Sequence, residues 1–480
     1  MSMAKMAKTD QMNHGSDSHM NLIGGISNRS NQTKISTGFK VALYAMIINF
    51  YLTGFMGIAG IFGMAHVQIY GFSFAGYWRV VCLPIILFFV MRHRKIIFSI
   101  REKVLLVINY SFFILFFIQI FVIPADYLAL HYSHVWKYVF YFLALICLLL
   151  NMSDNGKVEE KVLKNCLIIM FFLLLSGLVY YIYSLGVGHI LYVAGSTMIV
   201  ERIGFLMQSG GEDAYGFIIL LPITLFYFRN KKLLVFAIIV LGSLFLLYNG
   251  TRSAQILFLF MIFCFFFITA KGNVFLRVFI PLILIFTLPV LISYFSTIFQ
   301  GELIFNKIDI NDALFSNNYG IRGPEGNFMG RLRDLWLPII YDTLSISPFF
   351  GLGTAPHLIT KYLFLTAISA DLADVGPSFH SMYVYMFAMG GICGLFLFLG
   401  LLFILLGNSV KIAISPVREV RFEGLSLIFS AIGYMAWSFI SNANTQFGLT
   451  IIIMLIAQSV CSLRHATCVR SNILHSPLKE

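Results

Sequence analysis

The chain has 480 residues, of which 59% are hydrophobic and 11% are charged, and its formal net charge is +12 at pH 7. Soluble globular domains carry about 25% charged residues, so these values exclude a soluble enzyme as well as disordered, collagen-like and disulfide-rich classes. The amount of apolar sequence also exceeds the need of a single membrane anchor. The composition therefore predicts a polytopic, all-α integral membrane protein.

Twelve apolar segments are candidates for membrane-spanning helices, which need roughly 20 mostly apolar residues each. Their centres lie near positions 51, 81, 113, 144, 175, 222, 241, 262, 287, 394, 433 and 456. The pattern predicts helices 1–9 over 41–295 and helices 10–12 over 381–463, separated by a large loop at 296–380. A flexible tail is predicted at 1–40 and a second tail at 464–480.

The placement of the basic residues predicts the orientation of these helices. With the N-terminus inside, the inner segments are 1–40, 92–103, 152–165, 229–232, 271–277, 408–424 and 464–480. They hold 24 of the 33 Lys and Arg residues but only 9 of the 21 Asp and Glu residues. Because cytoplasmic loops accumulate Lys and Arg, both tails are predicted to be cytoplasmic and the large loop periplasmic. Topology then accounts for the positive charge, and we expect no nucleic-acid partner.

The large loop carries aromatic residues along its length, a composition typical of folded chain. Loops beyond about 15 residues are usually functional or disordered, so we expect a helical cap over the outer face of the membrane core. The seven cysteines lie in predicted helices or the C-terminal tail. They offer neither a disulfide framework nor a CxxC metal site, and we expect no metal and no cofactor.

Arginines mark the outer ends of several predicted helices. Arg202 precedes helix six, Arg252 lies in the short turn between helices seven and eight, and Arg331 and Arg333 lie in the large loop. A single arginine at a helix end is commonly an interfacial anchor. Several arginines that converge indicate a phosphate or diphosphate ligand, because guanidinium matches phosphate oxygens bidentately.

Two further features accompany the arginines. Gly250 and Ser253 are small neighbours of Arg252 and would let an anion approach both guanidinium and backbone. His380 ends the large loop at the mouth of helix ten, where it is either an interfacial histidine or a group that orients or deprotonates an acceptor hydroxyl. The second alternative rests on its near-neutral pKa, which suits proton transfer.

Glycines near the same end of the chain have a structural interpretation. Gly390, Gly391 and Gly394 have a spacing typical of close helix packing. The segment 351–353 follows Pro348 and indicates a turn, for which a phosphate-binding nest is a weaker alternative.

Four segments within about 202–394 occur in an order that is diagnostic when taken together. They are Arg202-Ile203-Gly204 with Asp213-Ala214-Tyr215-Gly216; Asn249-Gly250-Thr251-Arg252-Ser253-Ala254; Gly330-Arg331 to Trp336 with Pro348-Phe349-Phe350-Gly351-Leu352-Gly353; and His380 with Gly390 and Gly391. This series is predicted to lie on the outer side of the membrane. It resembles the O-antigen ligase and polymerase family. The chain departs from the family pattern at Glu212-Asp213, where the family has Pro-Asn, and at Ser381, where it has Asn.

The resemblance implies a GT-C-like helical fold and metal-independent glycosyl transfer with inversion at the anomeric carbon. Carried over by position, Arg202 and Arg252 would bind the diphosphate of the donor lipid and stabilise its charge as the sugar–phosphate bond breaks. His380 would orient or deprotonate the acceptor. Arg331 or Arg333 would contact donor or acceptor, and Trp336 would pack within the cap.

The leading interpretation is a polysaccharide polymerase that moves a glycan from undecaprenyl diphosphate onto another lipid-linked repeat unit. An O-antigen ligase, with lipid A-core as acceptor, is the alternative. Ser381 and the need of every distinct glycan for its own polymerase favour the first. A protein-glycosylating member of the superfamily is a third interpretation. A transporter or flippase of lipid-linked glycans is a further alternative, but it predicts charged groups along a pathway, and the predicted helices carry few besides Arg79.

The implied partners are the undecaprenyl-diphosphate-linked oligosaccharide donor, the lipid-linked glycan or lipid A-core acceptor, membrane lipids and a chain-length regulator protein. The implied location is the cell inner membrane, with multiple passes and the active site on the periplasmic face.

Overall fold

The computed structural model describes residues 35–61, 74–92, 99–123, 125–186, 210–249, 251–269, 332, 336–354, 381–440 and 446–475. Within these ranges the regular structure is helical and no strand occurs. The helices are α1 (Thr37–Ile61), α2 (Phe74–Arg92), α3 (Ile100–Val122), α4 (Ala125–Leu150), α5 (Lys157–Gly186), α6 (Gly210–Tyr227), α7 (Lys232–Asn249), α8 (Arg252–Thr269), α9 (Leu337–Ile346), α10 (Met382–Ala413), α11 (Arg418–Ile440) and α12 (Gln446–His475).

Eleven of the twelve apolar segments coincide with α1–α8 and α10–α12. The remaining segment, near 287, lies outside the described residues. Among the described helices, five are long and apolar enough to cross a membrane by length and composition: Ile100–Val122, Lys157–Val179, Met382–Ala413, Arg418–Phe439 and Phe447–Ser471. The protein is a polytopic, all-α membrane protein, as predicted.

The core of the bundle is built around α12. Of its most apolar 18-residue window, 89% is buried, a larger share than in the other four candidate spans. It contacts α1, α4, α5, α6, α10 and α11. The long α10 and α11 also pack against each other, and α11 separates α10 from α6 and α8. The fold therefore brings the segments after residue 380 against those around residues 215 and 253.

Helix ends predicted to be cytoplasmic meet in one layer of ion pairs, here called the charged layer. It joins α3, α5, the turn after α6, α11 and α12. The pairs are Arg464 Nε with Glu102 Oε1 (2.7 Å), His465 Nδ1 with Glu160 Oε2 (2.6 Å), Lys164 Nζ with Glu160 Oε1 (3.2 Å) and with Glu423 Oε2 (2.6 Å), and Arg229 with Glu419. Five helix ends thus share one face of the bundle. We call these the inner ends and the opposite ones the outer ends.

Local sequence signals place two of these ends. Ser99 caps α3: its Oγ accepts from the Glu102 N–H (3.3 Å), while Glu102 Oε2 accepts from the Ser99 N–H (3.0 Å). This reciprocal pairing is a capping box. α12 continues to His475, so Arg464 and His465 of the predicted C-terminal tail are helical and lie in the charged layer.

Candidate functional site

The outer halves of α6 and α8 are joined by two hydroxyl groups. Tyr215 of α6 and Ser253 of α8 form a hydrogen bond between Oη and Oγ. The Tyr215 ring stacks on Trp437 of α11, with centroids 5.8 Å apart and ring planes 16° apart. Because Tyr215 and Ser253 belong to two of the four diagnostic segments, the fold brings the first and second segments into contact.

The start of α8 is fixed by its own first turn. Thr251 is buried and its carbonyl accepts from the Gln255 N–H at 3.1 Å. The Gln255 side chain donates to the Leu246 carbonyl of α7 at 3.0 Å. Arg252 is the first residue of α8, so the backbone that carries it is held by bonds to α7 and, through Ser253, to α6.

α10 is broken at Gly391, where φ is 60° and ψ is −154°. In a straight helix, Tyr383 and Phe398 would be about 22 Å apart along the axis, yet their ring centroids are 5.7 Å apart. A Cβ atom on Gly394 would lie 2.9 Å from the Met386 carbonyl oxygen. The first segment of α10 (382–390) therefore folds back beside the second segment (392–413).

The break leaves backbone N–H and carbonyl groups without partners within α10. Residues 348–353 form hydrogen bonds with these groups, an arrangement here called the glycine interlock. Two carbonyls before the break and two N–H groups after it bond to this turn. The bonds run from Ile392 N–H to Pro348 O (2.9 Å), Cys393 N–H to Phe349 O (3.2 Å), Leu352 N–H to Ala388 O (2.7 Å) and Gly353 N–H to Met389 O (3.0 Å). Unsatisfied backbone groups cost several kcal/mol each in a bilayer, so the turn makes the break tolerable.

Two glycine predictions are revised by the interlock. Gly391 has a backbone role, because it adopts positive φ and breaks the helix. Gly390 does serve close packing, since a Cβ atom there would lie 2.9 Å from Leu115 Cδ2 of α3. The phosphate-nest alternative for 351–353 is wrong, because the Gly351 N–H donates to the Ser347 carbonyl and the next two N–H groups donate to α10.

The fold-back sets the depth of the N-terminal end of α10. Counted at 1.5 Å per residue, Tyr215, Ser253 and Phe398 lie about 18 to 24 Å from the inner ends of their helices. Tyr383, beside Phe398, donates to the Met435 carbonyl of α11 at 3.3 Å. Ser381, which precedes α10, is 1% exposed. The chain next to position 380 thus lies at the same depth as the Tyr215–Ser253 pair.

A second hydroxyl chain ties this end of α10 to α4. Tyr138 of α4 donates to the Tyr385 hydroxyl at 2.9 Å, and Tyr385 donates to the Thr354 carbonyl at 2.9 Å. All three residues are buried. The first segment of α10 is therefore held on two sides, by α11 and by α4.

Trp336 and α9 lie within the predicted loop 296–380. Trp336 is buried and meets Phe439 of α11 edge-on, with centroids 6.0 Å apart. Ile339 and Thr343 are the buried positions of α9. This placement agrees with a packing role for Trp336, and it docks α9 against the membrane core.

Charged side chains occur within the helices at the depth of the site, contrary to prediction. Lys137 of α4 interacts electrostatically with Arg79 of α2 and with Glu212 of α6. Glu212 also interacts with the neighbouring Asp213 carboxylate. Asp213 is fully buried. The expectation of few helix charges besides Arg79 is wrong because α4 begins at Ala125, which puts Lys137 midway along that helix.

Most of the predicted site residues fall outside the described ranges: Arg202, Gly250, Arg331, Arg333 and His380. Arg252 is placed at the start of α8, and Ser253 is placed against Tyr215. The polar partners Tyr138, Tyr385 and Lys137 escaped sequence reasoning. Their only signal was a run of polar and aromatic residues in an otherwise apolar helix. Among the described residues, no three His, Cys, Asp or Glu side chains are grouped to hold a metal ion.

Comparison with known families identifies the region that contains most of these features. Residues 236–399 match the family model described as O-Antigen ligase. The match covers about a third of the chain and includes the start of α8, α9, the glycine interlock and position 380, while Arg202 and Tyr215 precede it. No curated protein matches the chain. The predicted resemblance is confirmed as a match of residues 236–399 to the O-Antigen ligase family model.

Proposed function

We propose that the protein is a surface-polysaccharide polymerase of the O-antigen ligase and polymerase type. It transfers a glycan from undecaprenyl diphosphate to another lipid-linked repeat unit at the periplasmic face of the inner membrane. The reaction is metal-independent and inverts the anomeric carbon on a GT-C-like helical scaffold.

The observation that carries this proposal is the fold-back of α10. It brings the chain beside His380 to the depth of the Tyr215–Ser253 pair, and Ser253 directly follows Arg252. The segments next to the proposed arginine and histidine groups therefore reach a similar depth in the outer half of the bundle, with α11 packed between them. A transfer between two lipid-linked substrates requires donor-binding and acceptor-binding groups at one such depth.

Each proposed group has one task in the reaction. Arg202 and Arg252 bind the donor diphosphate and stabilise the negative charge that grows on it as its bond to the anomeric carbon breaks. His380 orients the acceptor hydroxyl and takes its proton as the new glycosidic bond forms. Undecaprenyl diphosphate leaves with the bonding electron pair. Arg331 and Arg333 contact donor or acceptor sugars.

The turn before α8 gains a more specific role from its contacts. Ser253 was expected to help bind the anion, but its hydroxyl is hydrogen-bonded to Tyr215. We assign it to fixing the first turn of α8 and, with it, the backbone that carries Arg252. Gly250 keeps the proposed role of letting the diphosphate approach.

The charged helix residues bear on the transporter alternative. Arg79, Lys137, Glu212 and Asp213 all lie about 20 to 22 Å from the inner ends of their helices, counted at 1.5 Å per residue. Within the described helices these four charged residues lie at one level. A transport pathway predicts charged groups at successive depths, so this arrangement favours the enzyme.

The ligase and the polymerase break the same sugar–diphosphate bond and differ in the acceptor. A deletion strain separates them by its glycan ladder and by the lipid that carries the glycan. Loss of long chains, while a single repeat still reaches lipid A-core, supports the polymerase. Long chains accumulating on undecaprenyl diphosphate, with uncapped lipid A-core, support the ligase. An unchanged ladder with normal attachment contradicts both.

A further inference from the structure

Gln119 is a buried amide at the outer end of α3, and it bonds to two different chain segments at once. Its side-chain nitrogen donates to the Phe350 carbonyl at 2.7 Å and to the Met389 carbonyl at 2.6 Å. Phe350 belongs to the turn of the glycine interlock, and Met389 belongs to the first segment of α10. One side chain therefore bridges the two backbone segments that meet at the break.

The bond to Met389 is tied to the geometry of the break. In an unbroken helix, the Met389 carbonyl would accept from the N–H four residues later, but Cys393 donates to Phe349 instead. The freed carbonyl accepts from both Gly353 and Gln119. Gln119 is fully buried, and in an apolar setting such bonds have no competing water.

Asn109 on the same face of α3 provides a natural comparison. It is also a fully buried amide, but its nitrogen donates to the Leu105 carbonyl at 2.7 Å, within its own helix. Losing the Asn109 amide alters α3 alone. Losing the Gln119 amide releases a contact between α3, the 348–353 turn and α10.

We propose that Gln119 is a positioning residue for glycosyl transfer, acting through the glycine interlock on the first segment of α10. That segment starts directly after His380 and Ser381. The two Gln119 hydrogen bonds therefore set the position of the proposed base relative to the arginines. This inference rests on the proposed function. Gln119 itself does not touch the reacting atoms.

The test uses the full-length protein in lipid nanodiscs with two matched variants. Gln119→Met keeps the side-chain length and removes both donors, while Asn109→Leu removes a buried amide that stays within α3. Hydrogen–deuterium exchange follows the amides of Leu352, Gly353, Ile392 and Cys393. Kinetics with a lipid-diphosphate-linked repeat unit give kcat and KM separately.

We expect Gln119→Met to speed exchange at those four amides at least tenfold. We also expect it to lower kcat by roughly 10- to 100-fold, the scale of a misplaced catalytic group, with KM changed less than threefold. Asn109→Leu should leave exchange at the interlock and kcat within about twofold of wild type. If Gln119→Met does not insert, Gln119→Asn, which keeps the amide on a shorter stem, should give a smaller change in the same direction.

Two outcomes overturn the inference. Wild-type kcat in Gln119→Met, with or without faster exchange, means that the Gln119 hydrogen bonds do not position the reacting groups. Equal losses in Gln119→Met and Asn109→Leu mean a general weakening of α3. Absence of transfer by the wild-type protein refutes the proposed function instead, and the exchange data then still report whether Gln119 holds the interlock.

Discussion

Gly351 and Gly391, forty residues apart in the chain, approach so closely that neither can carry a side chain. A Cβ atom on Gly351 would collide with the backbone nitrogen of Gly391, and one on Gly391 would collide with the Phe349 carbonyl group. Both glycines have positive φ, 69° and 60°. This contact allows α10 to break and fold back, and it sets the depth of the proposed active site.

Replacing Gly391 by alanine should therefore be strongly destabilising. The positive φ costs an L-residue about 1–3 kcal/mol, and the collision with residue 349 adds to this. We expect Gly391→Ala to lower the melting temperature of the purified protein markedly and to reduce its yield.

Gly407, farther along α10, is the matched control for Gly391. A Cβ atom there would lie 3.6 Å from Arg101 Nη1, an ordinary contact, so Gly407→Ala should match wild type. Equal melting temperatures for Gly391→Ala and wild type would refute the broken-helix geometry.

The Tyr215–Ser253 hydrogen bond should couple α6 to the start of α8. Tyr215→Phe and Ser253→Ala should each cost about 0.5–1.5 kcal/mol of unfolding free energy. The double variant should cost less than the sum of the two, because both remove the same bond. Additive costs in this double-mutant cycle, measured by denaturation in mixed micelles, would mean that the two hydroxyls do not interact.

Ion pairs in the charged layer should differ in the unfolding free energy that they contribute, according to how deeply they are buried. Glu102 is 4% exposed and Arg464 also donates to the Met152 and Ser153 carbonyls at 3.3 and 2.9 Å. Arg464→Met leaves the buried Glu102 carboxylate without its cationic partner, which typically costs about 3–5 kcal/mol. We therefore expect a loss of unfolding free energy of about that size, or failure of the variant to accumulate in the membrane.

Glu419 supplies the comparison for the buried pair. Its side chain is 71% exposed in its pair with Arg229, and exposed pairs contribute about 0–1 kcal/mol. Glu419→Ala should therefore leave the melting temperature nearly unchanged. Similar effects of Arg464→Met and Glu419→Ala would argue against the charged layer.

His380 and Arg331 should differ in how strongly they affect transfer. His380→Ala removes the proposed proton acceptor, and loss of such a group costs about 10²- to 10⁴-fold in rate, so we expect severe but incomplete loss. Arg331→Ala should be milder, because a sugar contact is one of several. Both are measured as glycan transfer per inserted protein. A fully active His380→Ala enzyme would leave the histidine without a catalytic role.

The positions of the helices could be predicted from the sequence because apolar runs and alternating charges report the bilayer directly. The ninth segment, near 287, stays a prediction. The boundaries were less predictable. The outer part of α4 carries polar and aromatic residues, so the apolar run centred near 144 does not indicate that the helix begins as early as Ala125. Glu212 supplies an opposite charge near Lys137, the lysine midway along α4, whereas Arg79 is a like charge.

The architecture of α10 could not be predicted because it depends on contacts distant in sequence. A glycine pair in an apolar helix usually indicates close packing, and nothing local distinguishes that use from a break. The break is stable because the turn at 348–353 and Gln119, 270 positions before Met389, complete its backbone bonds. The order of the diagnostic segments was nevertheless sufficient to predict that this region resembles the O-antigen ligase family, whose model residues 236–399 match.

In the proposed reaction, Arg252 stabilises the departing lipid diphosphate. The most direct measurement is a reconstituted assay in which purified wild-type protein and the Arg252→Ala and Arg252→Lys variants receive a lipid-diphosphate-linked repeat unit. We expect wild type to lengthen the glycan and to release one free lipid diphosphate per bond formed. Arg252→Ala should lose at least about 10²-fold in rate while inserting and melting normally, and Arg252→Lys should recover part of it, since lysine keeps the charge without the planar fork. Wild-type turnover by a normally inserted Arg252→Ala protein would contradict this role of Arg252.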